Sequence, residues 1–440
     1  MHPMVGPWQL EFYRGNMDAR VAARYRIALG LLLLADLVDR LRDFHAFYTD
    51  DGLMPRAALA PTLGMAVWPG SPTGVGLLFA FGFVAIAAFT LGYRTRLATL
   101  ATVLFAGALQ ARASSLNDGA DGLLRILCTW MLFVDSGACE SLDVRLRRRP
   151  ALATAPALPL RILQLQIVVV YLSAVAAKEG LTWLDGSAVW RAVQDTDYAR
   201  PMGAWLVGSP GPLRLVTWGT LLFEWTFPVL VFTRARRLVL GCGIALHVGI
   251  LVFLKVGWWP AVMLISYVLF WQPRGTIAGE AGQMRPAWRA LLLAGSLIVL
   301  GSQLFDTQDV LPTPLARVVG RAGMLVRWPL FAPNPQMVGG EWQAPGQLVG
   351  GEPIDLIARV VPEMRPDALV YSRWIKLRAE MLRTHDEAAL LRLSSWMCRR
   401  AAARGLRVES FTLSWRLWPL GEPGARPVEV PLVAQRCREM

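Results

Sequence analysis

Lys178, Glu224 and His247 are ionisable residues lying inside or at the end of apolar runs, and the chemistry of this chain is sought there first. An ionisable side chain at membrane depth is costly, so one that is kept there faces a partner or a cavity. Lys178 closes an apolar run that begins before Tyr171, and Glu179, Trp183 and Asp185 follow it. Two readings stand side by side. In one, Lys178 snorkels to the membrane boundary with Glu179 or Asp185 as its partner. In the other, it is a partly desolvated amine that gives up its proton and acts as a base. Of 45 basic residues only three are Lys, at positions 178, 255 and 376. Arg cannot act as a base, so a Lys kept in an Arg-rich chain favours the second reading.

Glu224 sits mid-run, between Phe223 and Trp225, with Pro228 one turn on, and His247 sits between Leu246 and Val248. A buried Glu and a buried His could pair and orient a cavity, or could simply make a polar contact between helices. Arg125 follows the stretch Asn117, Asp118, Gly119, Ala120, Asp121, Gly122, and Asp121 or Asp36 is its expected partner. Trp183, Trp258, Trp259 and Trp271 stand near run ends, where an indole commonly anchors at the membrane interface.

The elements that position these residues follow from composition. Apolar residues make up 54% of the 440, charged residues 18%, and the mean hydropathy is +0.40. The apolar residues fall in blocks of about 15 to 22, close to the length that crosses a bilayer as helix. The blocks lie near 25–43, 72–92, 97–113, 122–137, 159–178, 213–233, 238–254, 257–272 and 288–305. Asp36 and Asp39 interrupt the first, and the fourth and eighth are short. The pattern predicts an all-α polytopic membrane bundle of about nine transmembrane helices over 1–305, followed by a small α+β extramembrane domain over 306–440. No cleavable signal peptide is expected, so the first helix would stay as an anchor.

The net charge of +13 is concentrated in short Arg clusters between blocks. They are Arg14/Arg20/Arg24/Arg26, Arg94/Arg96, Arg145/Arg147/Arg148/Arg149, Arg234/Arg236/Arg237 and Arg274/Arg285/Arg289. Alternate loops carry acidic residues instead: Asp50/Asp51, Asp118/Asp121 and Asp195/Asp197. The alternation predicts a cytoplasmic N-terminus and an extracytoplasmic C-terminal domain, and it reads as topology rather than as a nucleic-acid surface. In the tail, Thr384 to Glu387 reads as a capping box opening a helix through Ala403 that Gly405 stops. Alternation from Phe411 to Leu417 predicts a strand, and a second is expected near 354–361. Cys128 and Cys242 lie inside blocks and read as packing residues. Cys139 falls on the expected inner side, and Cys398 and Cys437 share the outer domain, where a disulfide could form. No CxxC or His/Cys cluster points to a metal.

Several segments together resemble a known family. Arg26, Gly30, Asp36 and Arg40, then Tyr48 through Pro55, are similar to the first helix and outer loop of the horizontally transferred transmembrane domain family. Ser115 to Gly119, Phe133 to Asp135 and Ser141 to Asp143 resemble its third-to-fourth helix region. Tyr171 through Lys178 to Trp183, Leu184, Asp185 and Gly186 is the most specific match. Glu224, Pro228 and His247 stand where bacterial members carry them, and Trp328 to Pro335 looks like the element after the last helix.

The best-known member of that family is vitamin K-dependent gamma-carboxylase. The resemblance implies a multipass protein of a bacterial inner membrane that contacts membrane lipids and works on reduced vitamin K or another membrane quinol. No metal and no nucleic-acid partner is expected. Lys178 matches the carboxylase Lys that deprotonates reduced vitamin K, with His247, Glu224, Asn117, Arg125 and Trp183 as expected cofactor-binding residues. The carboxylase also uses a His in the loop where this chain has Asn117 to Asp121 and no His. The rival expectation is a non-catalytic membrane factor for maturation or export of a secreted peptide or protein. A transporter is weaker, because no inverted repeat or pair of broken helices is visible.

Overall fold

A computed structural model of the chain describes residues 9–59, 68–271, 284–305, 311–365, 371–384, 386–422 and 426–437. Arg274 of the last Arg cluster and His385 of the expected capping box lie outside these residues, as does 306–310, where the expected domain boundary falls.

Among the described residues a helix lies in each of the nine apolar blocks. They are α1 (Ala19–Arg40), α2 (Pro72–Leu91), α3 (Thr95–Arg112), α4 (Gly119–Met131), α5 (Ala157–Ala176), α6 (Pro210–Leu230), α7 (Arg236–Phe253), α8 (Trp259–Ser266, running on as a 3-10 turn through Tyr267–Phe270) and α9 (Pro286–Leu304). The expectation of nine crossings is met only in part. By length and composition, four of the described helices suffice to cross a membrane: α2, α5, α7 and α9. α4, with 13 residues, rises only about 20 Å against a hydrocarbon core of about 30 Å. α1 carries charge at both ends, with Arg20, Arg24 and Arg26 at one and Asp36, Asp39 and Arg40 at the other.

Helix ends follow local chemistry. Ser71 caps α2 by accepting from the Gly74 N–H, and Gly92 ends it in the left-handed region at φ 69°. Asp118 and Asp121 form a reciprocal capping box at the start of α4. α5 is the central helix: 83% of its apolar window is buried, against 17% for α7, whose outward face is left to lipid.

The Arg-rich loops meet one another. Arg24 reaches Glu140 and lies 4.5 Å over the Trp271 ring. Arg26 donates to the carbonyls of Ser136, Glu140 and Thr90. Asp143, from the segment that resembles the family, accepts from the Arg94 and Thr95 N–H groups at 2.7 and 2.8 Å. Strands β1 (Asn16–Asp18) and β2 (Thr154–Pro156) pair antiparallel and tie the first segment to the loop before α5.

The tail folds as a sheet packed with helices, as the alternation predicts. Strands β3 (Val338–Gln343), β4 (Pro345–Leu348), β5 (Pro353–Asp355), β6 (Val408–Pro419) and β7 (Val428–Arg436) run in the order β3-β6-β4-β5, with β7 on β6. α10 (Arg373–Thr384) and α11 (Glu387–Ala403) complete it, and Cys398 on α11 is disulfide-bonded to Cys437 after β7. Three details differ from expectation. Asp386 caps α11 by accepting from the Ala389 N–H, while Thr384 closes α10 by donating to the Glu380 carbonyl. The strand expected near 354–361 is three residues long and turns into the helix Leu356–Arg359, which Asp355 caps. Cys242 is exposed on α7, so it is no packing residue, whereas Cys128 is buried.

Tail and bundle are joined by buried charge. Arg373 on α10 donates to Asp36 on α1 at 2.7 Å and to Asp121 on α4 at 3.0 Å. Arg40 bonds the same two carboxylates and also donates to Tyr48 Oη. Two carboxylates and two guanidiniums therefore neutralise one another out of water, as buried charges must.

Candidate functional site

Lys178 follows the last turn of α5, where the chain leaves the helix, and its side chain is 3% exposed. It turns back toward the bundle: Nζ donates to Glu224 Oε2 at 2.7 Å, to Oε1 at 2.9 Å, and more weakly to the Ala174 carbonyl. Glu224 projects from the middle of α6. Pro228, one turn on, has no N–H to give to the Glu224 carbonyl. The partner of Lys178 is thus Glu224 rather than Glu179 or Asp185. Glu224 in turn is not paired with His247.

His247 on α7 belongs to a second polar group. Its Nε2 lies 2.8 Å from Tyr171 Oη, which lies 2.5 Å from Tyr267 Oη. Among the described residues His247 Nδ1 is buried without a hydrogen-bond partner. Phe223 and Phe227 pack edge-on and tilted against the Tyr171 ring, fixing its plane. A Tyr inside an apolar run needs a partner for its hydroxyl when buried, a signal in the sequence that could have singled out Tyr171.

Both polar groups open into one cavity of about 670 Å³. Its wall is largely apolar, with Val170, Ala174, Leu213, Ile250 and Trp259 among the lining residues. Val216, Thr220 and Leu246 also line it, and Val216 is 47% exposed on α6, which brings the cavity to the outer surface of the bundle beside α6 and α7. Trp183 is 4% exposed rather than an interface anchor, lies 4.9 Å from Lys178 Nζ, and donates to the Phe331 carbonyl. The segment 328–335 closes this side. Gly180 donates to the Pro333 carbonyl, and Asn334 Oδ1 accepts from the Thr182 N–H and hydroxyl. A Cβ at Gly180 would stand 2.2 Å from the Pro333 carbonyl oxygen, so this close approach requires glycine.

Asn117 and Arg125 are placed elsewhere. Asn117 donates to the Gln110 carbonyl and stays outside the cavity wall, although its neighbours Asp118, Gly119 and Ala120 line it. Arg125 bonds Gln110 Oε1 and the Gly323 carbonyl, not Asp121 or Asp36, so it braces the link after α9. Among the lining residues that sequence reasoning passed over as site residues are Asp118, Tyr371 and Lys376. Asp118 lies in the loop before α4, and burial, with Asp121 beside it, pushes its carboxyl up to about 6.

The sequence pattern of the HTTM domain family matches residues 13–274, more than half of the chain and all of the helices that build the cavity up to α8. No curated protein and no solved structure matches the chain.

Proposed function

Because the chain belongs to the HTTM domain family, we propose that this membrane protein is an enzyme whose cavity takes a lipid-like quinol and whose Lys178–Glu224 pair removes the quinol's proton. The observation that carries this reading is a buried, sequestered Lys–Glu pair on the wall of an apolar cavity that reaches the outer surface of the bundle. The protein would cross the inner membrane about nine times, with the Arg-rich loops inside and the tail outside. The contacts among those loops support that arrangement.

The residues fit such a ligand. A flat apolar ring bearing hydroxyls needs apolar walls and hydrogen-bonding groups at its edge. The walls are present, and the edge groups are Lys178, Glu224 and His247. When bound, reduced vitamin K or another membrane quinol supplies, on oxygenation, the strong base that removes a carbon-bound proton from a second substrate.

The chain's own part is proton handling. Out of water, Lys178 ammonium with Glu224 carboxylate and neutral amine with carboxylic acid come closer in energy, because the second pair carries no charge to desolvate. Moving the proton along the 2.7 Å bond frees the amine. Lys178 then accepts a proton from a hydroxyl in the cavity, and the pair gains one positive charge facing the negative charge left on that oxygen. His247 and Tyr171 hold the ligand's other edge, and Trp183 with segment 328–335 keeps water from Lys178. No His stands in the loop before α4. There, Asp118 reaches the cavity instead.

The test is turnover in lipid nanodiscs supplied with reduced vitamin K or menaquinol, oxygen, carbon dioxide and a carboxylate-bearing peptide. Wild type consumes quinol, and neither Lys178→Ala nor the Lys178→Met/Glu224→Gln double variant, which strands no buried charge, does so. Full quinol-dependent turnover by Lys178→Ala would end this reading.

One observation favours a second reading, a non-catalytic factor for a secreted peptide. A groove of about 1330 Å³ with mixed apolar and polar lining runs between the tail (Glu341 to Gly346, and Trp418 to Glu422) and Arg200 and Lys255 of the helix bundle's loops. On this reading, deleting 311–440 abolishes function while Lys178→Ala leaves it intact.

A further inference from the structure

A second pocket, of about 560 Å³, lies at the end of the bundle where the Arg-rich loops meet. The start of α3, the end of α4 and the segment 143–150 wall it, and none of its lining residues lines the cavity beside Lys178. Its shape is preset by close packing. A Cβ at Gly92 would stand 2.6 Å from Ser141 Cβ, so the link from α2 to α3 lies directly on the segment after α4. Asp143 accepts from the Arg94 N–H, the Thr95 N–H and the Thr95 hydroxyl, and so holds Arg94 in the left-handed region at φ 43°. Glu140 and Arg147, in the facing segment, are also held at positive φ. Such backbone persists only where the surroundings over-determine it.

The wall carries a surplus of positive charge. Four Arg and two Asp line it. Arg149 closes on Asp135 with two bonds of 2.6 and 2.8 Å. Both Asp143 oxygens are occupied by the start of α3, and Arg148 acts on that carboxylate only through space. Arg148 lies 4.4 Å over the Tyr93 ring and donates to Tyr93 Oη at 3.2 Å. Arg94 and Arg96 are exposed, and among the described residues neither forms an ion pair.

An apolar track leads out of the same pocket. Leu97 lines it, and Leu97, Leu100 and Leu104 are all exposed on α3. Their spacing of three and four puts them on one helix face, rising about 10 Å from the pocket. A solvated Arg cluster needs neither a pocket nor an apolar track beside it, whereas an amphiphile with a negative head needs both. Guanidinium matches a phosphate with paired hydrogen bonds, and all four cations of the wall are Arg. A zwitterionic head would bring an ammonium that the surplus charge repels.

We propose that this pocket seats the phosphodiester headgroup of an anionic phospholipid, held by Arg94, Arg96 and Arg148, with an acyl chain along Leu97, Leu100 and Leu104. Basic pockets between membrane helices take such heads by charge and shape. The lipid bridges the start of α3 to the segment 143–150 and fixes the Arg-rich end of the bundle in its leaflet. The site is independent of the quinol reading.

The experiment is native mass spectrometry of the full chain in detergent, titrated with phosphatidylglycerol and with phosphatidylcholine of identical acyl chains. Wild type is expected to hold one phosphatidylglycerol about tenfold more tightly than phosphatidylcholine. Arg94→Gln/Arg96→Gln should weaken that binding about tenfold, a few-fold for each charge beside an anionic head. Arg96→Glu, a single change at an exposed helix position, should reproduce the loss and is the variant to read if the double one melts early. Arg234→Gln/Arg237→Gln removes two exposed charges from another Arg-rich loop and should leave binding within about twofold. Leu97→Ser should weaken it about threefold through lost apolar contact. Equal binding of the two lipids, or equal losses in the two double variants, would overturn the proposal. So would displacement by glycerol phosphate at the lipid's own concentration, which would make this a site for a free anion.

Discussion

Arg373 and Asp36 are 337 residues apart in sequence, yet their side chains bond at 2.7 Å inside the protein. With Asp121 and Arg40 they make one buried cluster that seats α10 against the helix bundle. The tail is therefore part of the cavity wall and not an appendage, since α10 carries Lys376 and follows directly on Tyr371.

Breaking that seat should loosen the tail. Arg373→Gln leaves two buried carboxylates facing Arg40 alone, and removing one member of a buried ion group costs about 3–5 kcal/mol. Thermal unfolding should fall clearly, and limited proteolysis should cut within 311–437 faster than in wild type. Wild-type melting together with a wild-type cleavage rate would show that the cluster does not hold the tail.

The Lys178–Glu224 pair should show strong coupling. Lys178→Met alone strands a buried carboxylate, and Glu224→Gln alone strands a buried ammonium, so each should destabilise the protein. The double variant carries neither charge and should recover about 1–3 kcal/mol relative to additivity. Unfolding of the four proteins in one detergent measures this, and strict additivity would mean that the pair is not formed. The double variant also supplies a folded control that lacks the base.

Asp195 offers a pH test away from the helices. Burial pushes its carboxyl up to about 6, against the partial relief given by Arg378 and Lys255. Asp197 and Tyr198 bond to the same turn from its own segment. The folded state therefore holds this proton to a higher pH than the unfolded chain does. Its contribution is fully present below about pH 4 and is lost as pH rises through about 6. Relative to wild type, Asp195→Asn should thus gain thermal stability between pH 4 and pH 7. A difference between the two melting curves that does not change with pH would contradict the assignment.

The elements were legible in the sequence because apolar block length reports helices directly, and each of the nine blocks holds one. Membrane crossing was less legible, since α4 and α8 are short and α1 is charged at both ends. Side-chain partners were the least legible. Glu224 and His247 sit on adjacent helices and look like a pair, but helix rotation turns Glu224 to Lys178 and His247 to Tyr171. Arg125 finds its acceptor at Gly323, 198 residues away, where no local pattern could point. Tyr371 and Lys376 were missed because the tail read as a separate domain, although the rarity of Lys was already a signal for position 376.

The most direct measurement is photoaffinity mapping with an azido-quinone in nanodiscs, followed by peptide sequencing of the labelled sites. The account predicts labelling confined to the cavity wall, around 170–183 on α5 and beyond, 213–224 on α6 and 245–250 on α7, and suppressed by excess unlabelled quinol. Label spread evenly over the lipid-facing helices, or undiminished by competitor, would show that the chamber beside Lys178 is not a quinol site.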